Sequence, residues 1–391
     1  MGTDQAHEDG TGSAEVRVST IELFFDLVFV FAITQLTSFL AGEPTAVGLG
    51  RAVLIFGNLW WIYGGYAWLT NAVPPREPAL RLLLLLGMGG FLVVALAIPT
   101  AFDGGGVAFG VGYLLVTLVH TGMFLLSSHE SAVRAMRRLG PANAVTAALL
   151  LVAGFTRGPL QWTLWTAAAG LHWLSPFVTA VSGFPIRAAH FVERHGLIVL
   201  IALGESIVAV GIGMAGHRLR ADRLVTAALG LALAAALWWL YFDGEDHRAE
   251  RALDAAEGDR STWLALYGFG YAFLAVLGGI IVFAAGVKNA VGQAGEPVAS
   301  TAWLLAGGVA TYLLGLALFR QLLGIGPIGA RLAVAGAVLP SAVIGLAISP
   351  VAQLGVLATL VVGGVLAEPA WERHTSTAAG GQRLEDKGGS P

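Results

Sequence analysis

Residues 22–35 read Glu-Leu-Phe-Phe-Asp-Leu-Val-Phe-Val-Phe-Ala-Ile-Thr-Gln, an apolar run that carries a carboxylate, Asp26, inside it. An apolar stretch of about 20 residues around such a run is typical of a membrane-spanning helix. An ionised Asp near the bilayer centre costs about 2.5–3.5 kcal/mol on insertion scales, so a carboxylate there indicates a candidate functional site. The run therefore predicts a membrane-spanning helix, with Asp26 as the first candidate functional residue.

The rest of the chain repeats this apolar character. Predicted spans lie at residues 20–41, 51–70, 79–99, 107–127, 141–156, 160–181, 196–215, 223–243, 262–286, 300–322, 329–348 and 351–367. Several stretches are short or rich in Gly, so counts of eleven or ten stay open, and the pairs 141–181 and 329–367 are the weakest. The sequence predicts an all-α, polytopic helical membrane protein with about twelve transmembrane helices.

Composition excludes several classes of protein. Hydrophobic residues make up 56% of the 391 residues and charged residues 12%, against about 25% charged residues in soluble domains. The net charge of -3 and the scattered Lys and Arg residues provide no basic face for a nucleic acid. The chain has no Cys, which excludes disulfides and thiolate metal sites. The expected partners are membrane lipids, with no nucleic acid.

Two segments, Glu22–Thr37 and Glu193–Val208, run parallel at an offset of 171 residues, each opening with Glu before an apolar stretch. The next span in each half carries a Trp pair followed by Tyr, at residues 60–63 and 238–241. This order predicts two six-helix repeats. The predicted division is residues 20–186 and 187–367, with disordered ends at residues 1–19 and 368–391. The alternative is that Glu and Trp simply mark helix ends, as in many membrane proteins.

The distribution of basic residues predicts the orientation. If both termini and the even-numbered connections share one side, that side holds 16 of the 22 Lys and Arg residues. By the positive-inside rule, both termini are then cytoplasmic, in a multi-pass protein of the cell (plasma) membrane. The N-terminal residues lack the basic region of a secretory signal. Abundant Arg and Gly with only two Lys residues indicate a bacterial source.

Three motifs resemble the bacterial low temperature requirement A (LtrA) family. They are Ser19-Thr-Ile-Glu-Leu-Phe-Phe-Asp26 with the apolar run that follows, His190-Phe-Val-Glu-Arg-His-Gly196, and Leu203-Gly-Glu-Ser206. The resemblance covers about residues 18–367. The family is named after a cold-growth phenotype, and the resemblance implies a membrane protein without implying any catalytic residue.

The run from Phe25 to Thr34 is also similar to the first-helix signature of the endolysosomal-type potassium channel family. That resemblance implies an architecture of six-helix units, sometimes duplicated in one chain. Phe25 stands where that signature has Ser, and the second half carries no second copy of the signature. The resemblance therefore concerns architecture and does not extend to potassium selectivity.

Glu22 and Asp26 are four residues apart, so both carboxylates project from one side of the first helix. Two acids one turn apart can bind a cation or share a proton. The alternatives are that Asp26 pairs with an Arg and only stabilises the bundle, and that Glu22 serves the helix start. Asn58, in the second span, can complete a site with Asp26 or make an interhelical hydrogen bond.

Further candidate residues lie in other spans. Glu205 is the deepest acid and can relay protons or bind an ion, or else hydrogen-bond to a neighbouring helix. His120 and His172 lie within spans and can relay protons or make helix contacts. Glu193 lies between His190 and His195 in the predicted loop before the seventh span; the two His are five residues apart, which disfavours a helical metal site. We predict no metal site.

Three classes of function stay open. The favoured class is a transporter or channel that moves a proton, a cation or a small solute by means of intramembrane carboxylates. The second is an intramembrane enzyme that acts on amphiphilic substrates. The third is a structural or stress-related membrane protein without transport. The sequence shows no nucleotide-binding fingerprint and no Ser-His-Asp spacing, so we predict no catalytic residue and no cofactor.

Two further expectations concern sites that the structure can test. A shared water-accessible cavity between Asp26 and Glu205 would favour transport, whereas separate dry contacts would favour the structural class. The charged segment at residues 244–261 is expected to form a solvated cytoplasmic helix. The sequence gives no prediction of the oligomeric state.

Overall fold

The computed structural model describes residues 18–127, 130–179, 184, 186–293 and 296–368, and within these ranges every regular element is a helix. The prediction of an all-α polytopic membrane protein is confirmed. The first half contains α1 Thr20–Gly42, α2 Ala46–Ala72, α3 Pro78–Ala97, α4 Gly106–Leu125, α5 Glu130–Ala153 and α6 Gly158–Thr179. A 3-10 turn, Ile98–Thr100, extends α3.

The second half begins with α7 Ala188–Met214 and α8 Ala221–Phe242, followed by the short α9 Glu245–Asp254 and α10 Asp259–Leu264. A π-helical segment, Ala265–Ala272, joins α10 to α11 Phe273–Gly292 in one continuous rod. The remaining helices are α12 Ala299–Leu323, α13 Gly329–Val338, α14 Ser341–Ala347 and α15 Pro350–Glu368.

Ten helical rods in the described part of the chain are long and apolar enough to cross a membrane, two fewer than the predicted twelve. The two that fall short are α5 and α6, which cover the predicted spans 141–156 and 160–181. The predicted span begins at Pro141, but this residue lies inside α5, which begins at Glu130. It therefore includes a charged first half, with Arg134, Arg137 and Arg138. That charge makes α5 a poor membrane span.

Predicted disorder at residues 1–19 and 368–391 falls outside the described ranges, except for Val18, Ser19 and Glu368. Glu368 is the last residue of α15, and its carboxylate lies 2.5 Å from Arg320 Nη1. The helical part of the chain therefore extends to Glu368. The division into two six-helix repeats stays a prediction.

Glycines allow α11 and α12 to pack with their backbones in contact. A Cβ atom added to Gly279 would lie 2.8 Å from the carbonyl oxygen of Gly308 and closer still to the backbone nitrogen of Tyr312. On the facing helix, a Cβ atom at Gly308 would lie 2.9 Å from Cβ of Phe283. Small residues at such crossings are a general means of packing helices in membranes.

We expect Gly279→Ala to lower the thermal unfolding temperature of the purified protein, because overpacking a close crossing costs about 1–3 kcal/mol. The neighbouring variant Gly278→Ala is the matched control, since its added Cβ would lie 3.7 Å from the ring of Phe56, an ordinary contact. Equal unfolding temperatures for the two variants would contradict the close crossing.

Helix α1 lies between the two halves of the chain. It packs against α2 and α3 of its own half and against α7 and α11 of the second half. One face of α1 is buried throughout, with Phe25, Phe29, Ile33, Leu36 and Leu40 in the hydrophobic core. Polar side chains on α1 that face the second half therefore lie inside the bundle.

Candidate functional site

Helix α7 begins at Ala188, whereas the sequence predicts the seventh span from residue 196. The earlier start has a physical basis, because Phe191, Val192 and His195 recur at helical spacing and are buried. Residues predicted to lie in a loop are therefore helical. Arg194 is 1% exposed and faces α1.

The guanidinium of Arg194 is shared between two carboxylates of α1. Its Nη1 lies 3.2 Å from Glu22 Oε1, and its Nη2 lies 3.2 Å from Asp26 Oδ1. Nη1 also donates to the hydroxyl of Thr70 at the end of α2. Glu22 and Asp26 thus lie on one face, as their spacing predicts, and Asp26 pairs with an Arg.

Glu22 also serves the start of α1. Its Oε2 accepts hydrogen bonds from the backbone N–H of Ser19, at 2.8 Å, and from the Ser19 hydroxyl, at 2.7 Å. A carboxylate at this position caps the free N–H groups of the first turn. The same side chain therefore orders the beginning of α1 and pairs with Arg194 and His190.

The contacts of His190 fix its neutral tautomer. The backbone N–H of Arg187 donates to Oδ1 of Asn71 at 3.1 Å, so the amide nitrogen of Asn71 faces His190 Nδ1, 3.3 Å away. Because an amide nitrogen can only donate, His190 Nδ1 accepts and Nε2 carries the proton. Nε2 then donates to Glu22, with Oε1 at 3.2 Å.

Asp26 is fully buried, and only one of its two carboxylate oxygens has hydrogen-bond partners. The hydroxyl of Tyr63 on α2 donates to Oδ1 at 2.8 Å, but Oδ2 has no hydrogen-bond partner. Nε of Arg194 is also buried without a partner. The rings of Phe25 and Tyr63 lie 5.7 and 5.8 Å from the guanidinium carbon. We call this group the Arg194 cluster: Glu22, Asp26, Tyr63, Thr70, His190 and Arg194.

Glu205 lies further along the same interface. Its Oε2 is 2.6 Å from the hydroxyl of Thr34 on α1, and its Oε1 is buried without a partner. Four residues beyond Thr34, the hydroxyl of Ser38 accepts a hydrogen bond from Lys288 of α11 at 3.1 Å. These contacts extend a series of polar contacts along α1, which we call the polar stripe: Glu22, Asp26, Thr34 and Ser38 with their partners on α7 and α11.

Asp26 and Glu205 do not meet. Asp26 bonds to Tyr63 and Arg194, whereas Glu205 bonds to Thr34. Thr34 lies eight residues beyond Asp26, a distance of about 12 Å along a helix. The contacts of Asp26 and Glu205 are therefore separate and buried, and by the discriminator stated above this outcome favours the structural class over transport.

Asn58 and His172 lie away from Asp26. The side-chain amide of Asn58 donates to the Leu54 carbonyl of its own helix at 2.9 Å. The ring of His172 stacks on Trp61, with the ring centres 5.3 Å apart. His120 is also buried, against Gly65 of α2, and neither of its ring nitrogens has a hydrogen-bond partner.

Glu193 is exposed on α7 and accepts a hydrogen bond from the backbone N–H of Val18 at 3.2 Å. Glu193 and its neighbour Arg194 have different partners, because adjacent side chains on a helix point in directions about 100° apart. His190 and His195 also diverge: His195 Nδ1 faces the carbonyl oxygen of Phe191 at 2.8 Å. The described ranges contain no group of three potential metal ligands.

A second buried ion cluster lies in the segment expected to be solvated. Glu245, the first residue of α9, is fully buried. Its Oε1 lies 2.7 Å from Arg248, 2.7 Å from Arg320 and 3.3 Å from Arg331. The prediction of a solvated helix at residues 244–261 is therefore wrong at the first residue of α9, Glu245. The sequence contains one signal for this burial: Arg320 lies within an apolar span, and a buried charge there needs a nearby acid.

Comparison with known proteins adds a family relationship. Residues 17–367 match the family described as bacterial low temperature requirement A protein (LtrA). An uncharacterized protein of Rhizobium meliloti (strain 1021) is 30% identical over 293 residues, which are 70% of this chain and 69% of that protein. The family match includes every residue of the Arg194 cluster.

Proposed function

This chain belongs to the bacterial low temperature requirement A (LtrA) family, and we propose that it moves an ion or a small solute across the membrane along the polar stripe of α1. In this proposal, binding of a proton or cation at Asp26 loosens the pairing of α1 with Arg194. The Arg194 cluster closes the route in the conformation described here.

The observation that carries the proposal is the charge of the Arg194 cluster. Two carboxylates, Glu22 and Asp26, face one guanidinium, and the hydrogen bonds of His190 indicate a neutral ring. The fully buried groups therefore carry one negative charge in excess, which the half-buried Arg187, whose guanidinium donates to the Thr70 carbonyl, offsets only in part. An uncompensated charge in a low-dielectric interior is costly. A proton or monovalent cation at Asp26 Oδ2, which has no partner, would remove that excess.

The polar stripe supports a route rather than a single site. It joins α1 to α7 and α11, which belong to the other half of the chain, at positions spread from Glu22 to Ser38. Sixteen residues of helix span about 24 Å, most of the thickness of a bilayer core. Thr34 and Glu205 are also 171 residues apart, the offset of the proposed repeat. Transporters commonly place their sites at the interface between such repeats.

The proposal includes the orientation and location. We propose a bacterial plasma membrane protein with both termini in the cytoplasm, since the positive-inside rule favours that orientation. The Arg194 cluster, at the beginnings of α1 and α7, would then lie toward the cytoplasmic side. A small solute would reach Asp26 from that side when the cluster opens.

A structural role is the second candidate. The pairing of Arg194 with both Glu22 and Asp26 favours it, because a three-charge cluster joins α1 to α7. The separate contacts of Asp26 and Glu205 favour it as well. Against it stand the unpartnered Asp26 Oδ2 and Arg194 Nε. Buried ion pairs give little net stability compared with apolar packing, and incomplete satisfaction weakens them further. The intramembrane enzyme gains no support, since the acids and His120 and His172 do not converge.

Purified protein in proteoliposomes tests the proposal. We expect vesicles that contain the protein to discharge an imposed gradient of protons, sodium, potassium or an uncharged small solute faster than protein-free vesicles. A useful reference variant is Arg51→Gln, which removes a partly exposed salt bridge to Glu43 outside the Arg194 cluster. Discharge at the protein-free rate for every gradient would leave the structural role as the better account.

A further inference from the structure

A cavity lies among α2, α4, α5, α6 and the π-helical segment, on the side of α2 away from the polar stripe. Its volume of about 80 Å³ is several times the ~10–15 Å³ that one water molecule needs. Four Trp side chains contribute to its walls: Trp60, Trp61, Trp68 and Trp173. None of the described residues that line it is Asp, Glu, Lys or Arg. The cavity therefore suits an uncharged, apolar body.

His120 is the polar group that the cavity leaves without a partner. It lines the cavity and is 3% exposed, with Nε2 against the backbone of Gly65, and neither ring nitrogen makes a hydrogen bond of normal geometry. Buried polar groups in proteins are nearly always hydrogen-bonded, so an unpartnered ring calls for an explanation. In the neutral state, one nitrogen donates and the other accepts. A ligand oxygen in the cavity would satisfy one of them.

The aromatic walls disfavour a cationic ligand. Aromatic cages bind cations through exposed ring faces. Here the face of Trp60 stacks on Tyr63, with ring centres 5.4 Å apart, and the face of Trp61 stacks on His172 at 5.3 Å. These packed faces are not available to a cation, and no Asp or Glu among the described lining residues would balance its charge.

The π-helical segment forms one wall. Leu266 and Gly270 of this segment line the cavity, and the carbonyl oxygen of Gly270 accepts a hydrogen bond from Trp60 Nε1 at 2.8 Å. Short π-helical segments occur frequently at functional sites. Here the segment and the indole of Trp60 fix each other's position beside the cavity. Gly64 and Trp68 of α2 also line the cavity and are partly exposed.

We propose that this cavity, the His120 cavity, binds a neutral lipophilic molecule whose hydroxyl or carbonyl oxygen hydrogen-bonds to the ring of His120. Its alkyl or ring portion packs among the Trp side chains. Both ligand groups satisfy His120, because a hydroxyl can donate or accept and a carbonyl accepts from the ring N–H. The site is separate from the Arg194 cluster, so its existence does not depend on transport.

A photoreactive long-chain alcohol with a diazirine in its chain is the probe. The full-length protein in lipid nanodiscs is irradiated with the probe, and the labelled peptides are mapped by mass spectrometry. We expect labelling to concentrate on α2, α4, α5 and the π-helical segment. An unlabelled alcohol of the same length should compete for the site, whereas the primary amine of that length, a cation at neutral pH, should not.

Two variants test the site independently. His120→Phe keeps a ring but removes the hydrogen bond, and should lower specific labelling about five- to tenfold. Gly64→Leu adds a bulky side chain to a residue that lines the cavity; a Cβ atom there meets nothing within 4 Å, so the fold should tolerate it. Gly122→Leu on α4 is the control, since its Cβ also meets nothing and Gly122 does not line the cavity.

The proposal is overturned if labelling is spread evenly over the lipid-facing helices, or if Gly64→Leu and Gly122→Leu label alike. Equal competition by the amine and the alcohol would contradict the assignment of a neutral ligand. Loss of labelling in Gly64→Leu alone, with full labelling in His120→Phe, would overturn the role of His120. None of these results depends on whether the vesicles show flux.

Discussion

Asp26→Asn is expected to reduce the flux through reconstituted vesicles by at least about tenfold, a change in barrier of about 1.4 kcal/mol or more. The amide keeps the size of the side chain and can still accept from Tyr63, but it can neither exchange a proton nor supply the negative charge that attracts a cation, so the charge change proposed to open the Arg194 cluster is lost. It also removes the excess negative charge of the Arg194 cluster, leaving Glu22 paired with Arg194. The measurement is the initial rate of gradient discharge at matched protein content.

Tyr63→Phe and Arg51→Gln accompany this variant. Tyr63→Phe removes the hydrogen bond to Asp26 without changing any charge, so we expect a smaller loss of flux. Arg51→Gln should leave the rate unchanged, because its salt bridge with Glu43 is partly exposed and lies about 18 Å along α2 from Tyr63. Wild-type flux in Asp26→Asn would remove Asp26 from the transport mechanism.

Arg194→Met is expected to destabilise the folded protein by about 3–5 kcal/mol, the usual effect of removing one partner from a buried ion pair. Two carboxylates of α1 would then face each other and the bundle interior without a counter-charge. We expect low yields of monodisperse protein and a lower unfolding temperature in detergent. Arg134→Met is a suitable control, since Arg134 pairs with Glu130 on the exposed surface of α5.

The compensated variant Glu22→Gln/Asp26→Asn/Arg194→Met should recover most of the lost stability. Its side chains keep approximately the original volumes, and the buried charges are gone. Recovery would show that Arg194→Met acts through the charges that it leaves unpaired. A compensated variant as unstable as Arg194→Met would indicate instead that the Arg194 side chain is needed for packing.

The sequence predicts the fold class and part of the Arg194 cluster. Apolar stretches of spanning length recur along the whole chain, so a helical membrane protein follows from composition alone. The spacing of Glu22 and Asp26 places both on one helical face, and Arg194 contacts both. The fold class and the shared face of the two acids follow from composition and helix geometry, which are local, whereas the contact with Arg194 does not.

The partner of the two acids could not be predicted from local patterns. Arg194 is 168 residues from Asp26, and sequence spacing carries no information about which distant Arg reaches a carboxylate. The predicted start of the seventh span, eight residues late, also placed Arg194 in a loop. The helical spacing of Phe191, Val192 and His195 was the signal that α7 begins earlier than residue 196.

The buried ion cluster of Glu245 with Arg248, Arg320 and Arg331 shows that composition alone does not predict burial. Its segment is rich in both acids and Arg, a pattern typical of a solvated surface helix. Glu245 is nevertheless fully buried, because α12 and α13 bring Arg320 and Arg331 to its carboxylate. Tertiary packing of the second half decides this burial. Similarly, the lack of a hydrogen-bond partner for His120 depends on how the surrounding helices pack and could not be predicted from the sequence.

The most direct test of the transport proposal is the flux through vesicles that contain the compensated variant Glu22→Gln/Asp26→Asn/Arg194→Met, measured beside wild-type vesicles. The account predicts a monodisperse protein of near wild-type stability that discharges the gradient no faster than protein-free vesicles. A compensated variant that discharges the gradient at the wild-type rate would contradict the account, because the flux would then need none of the buried charges.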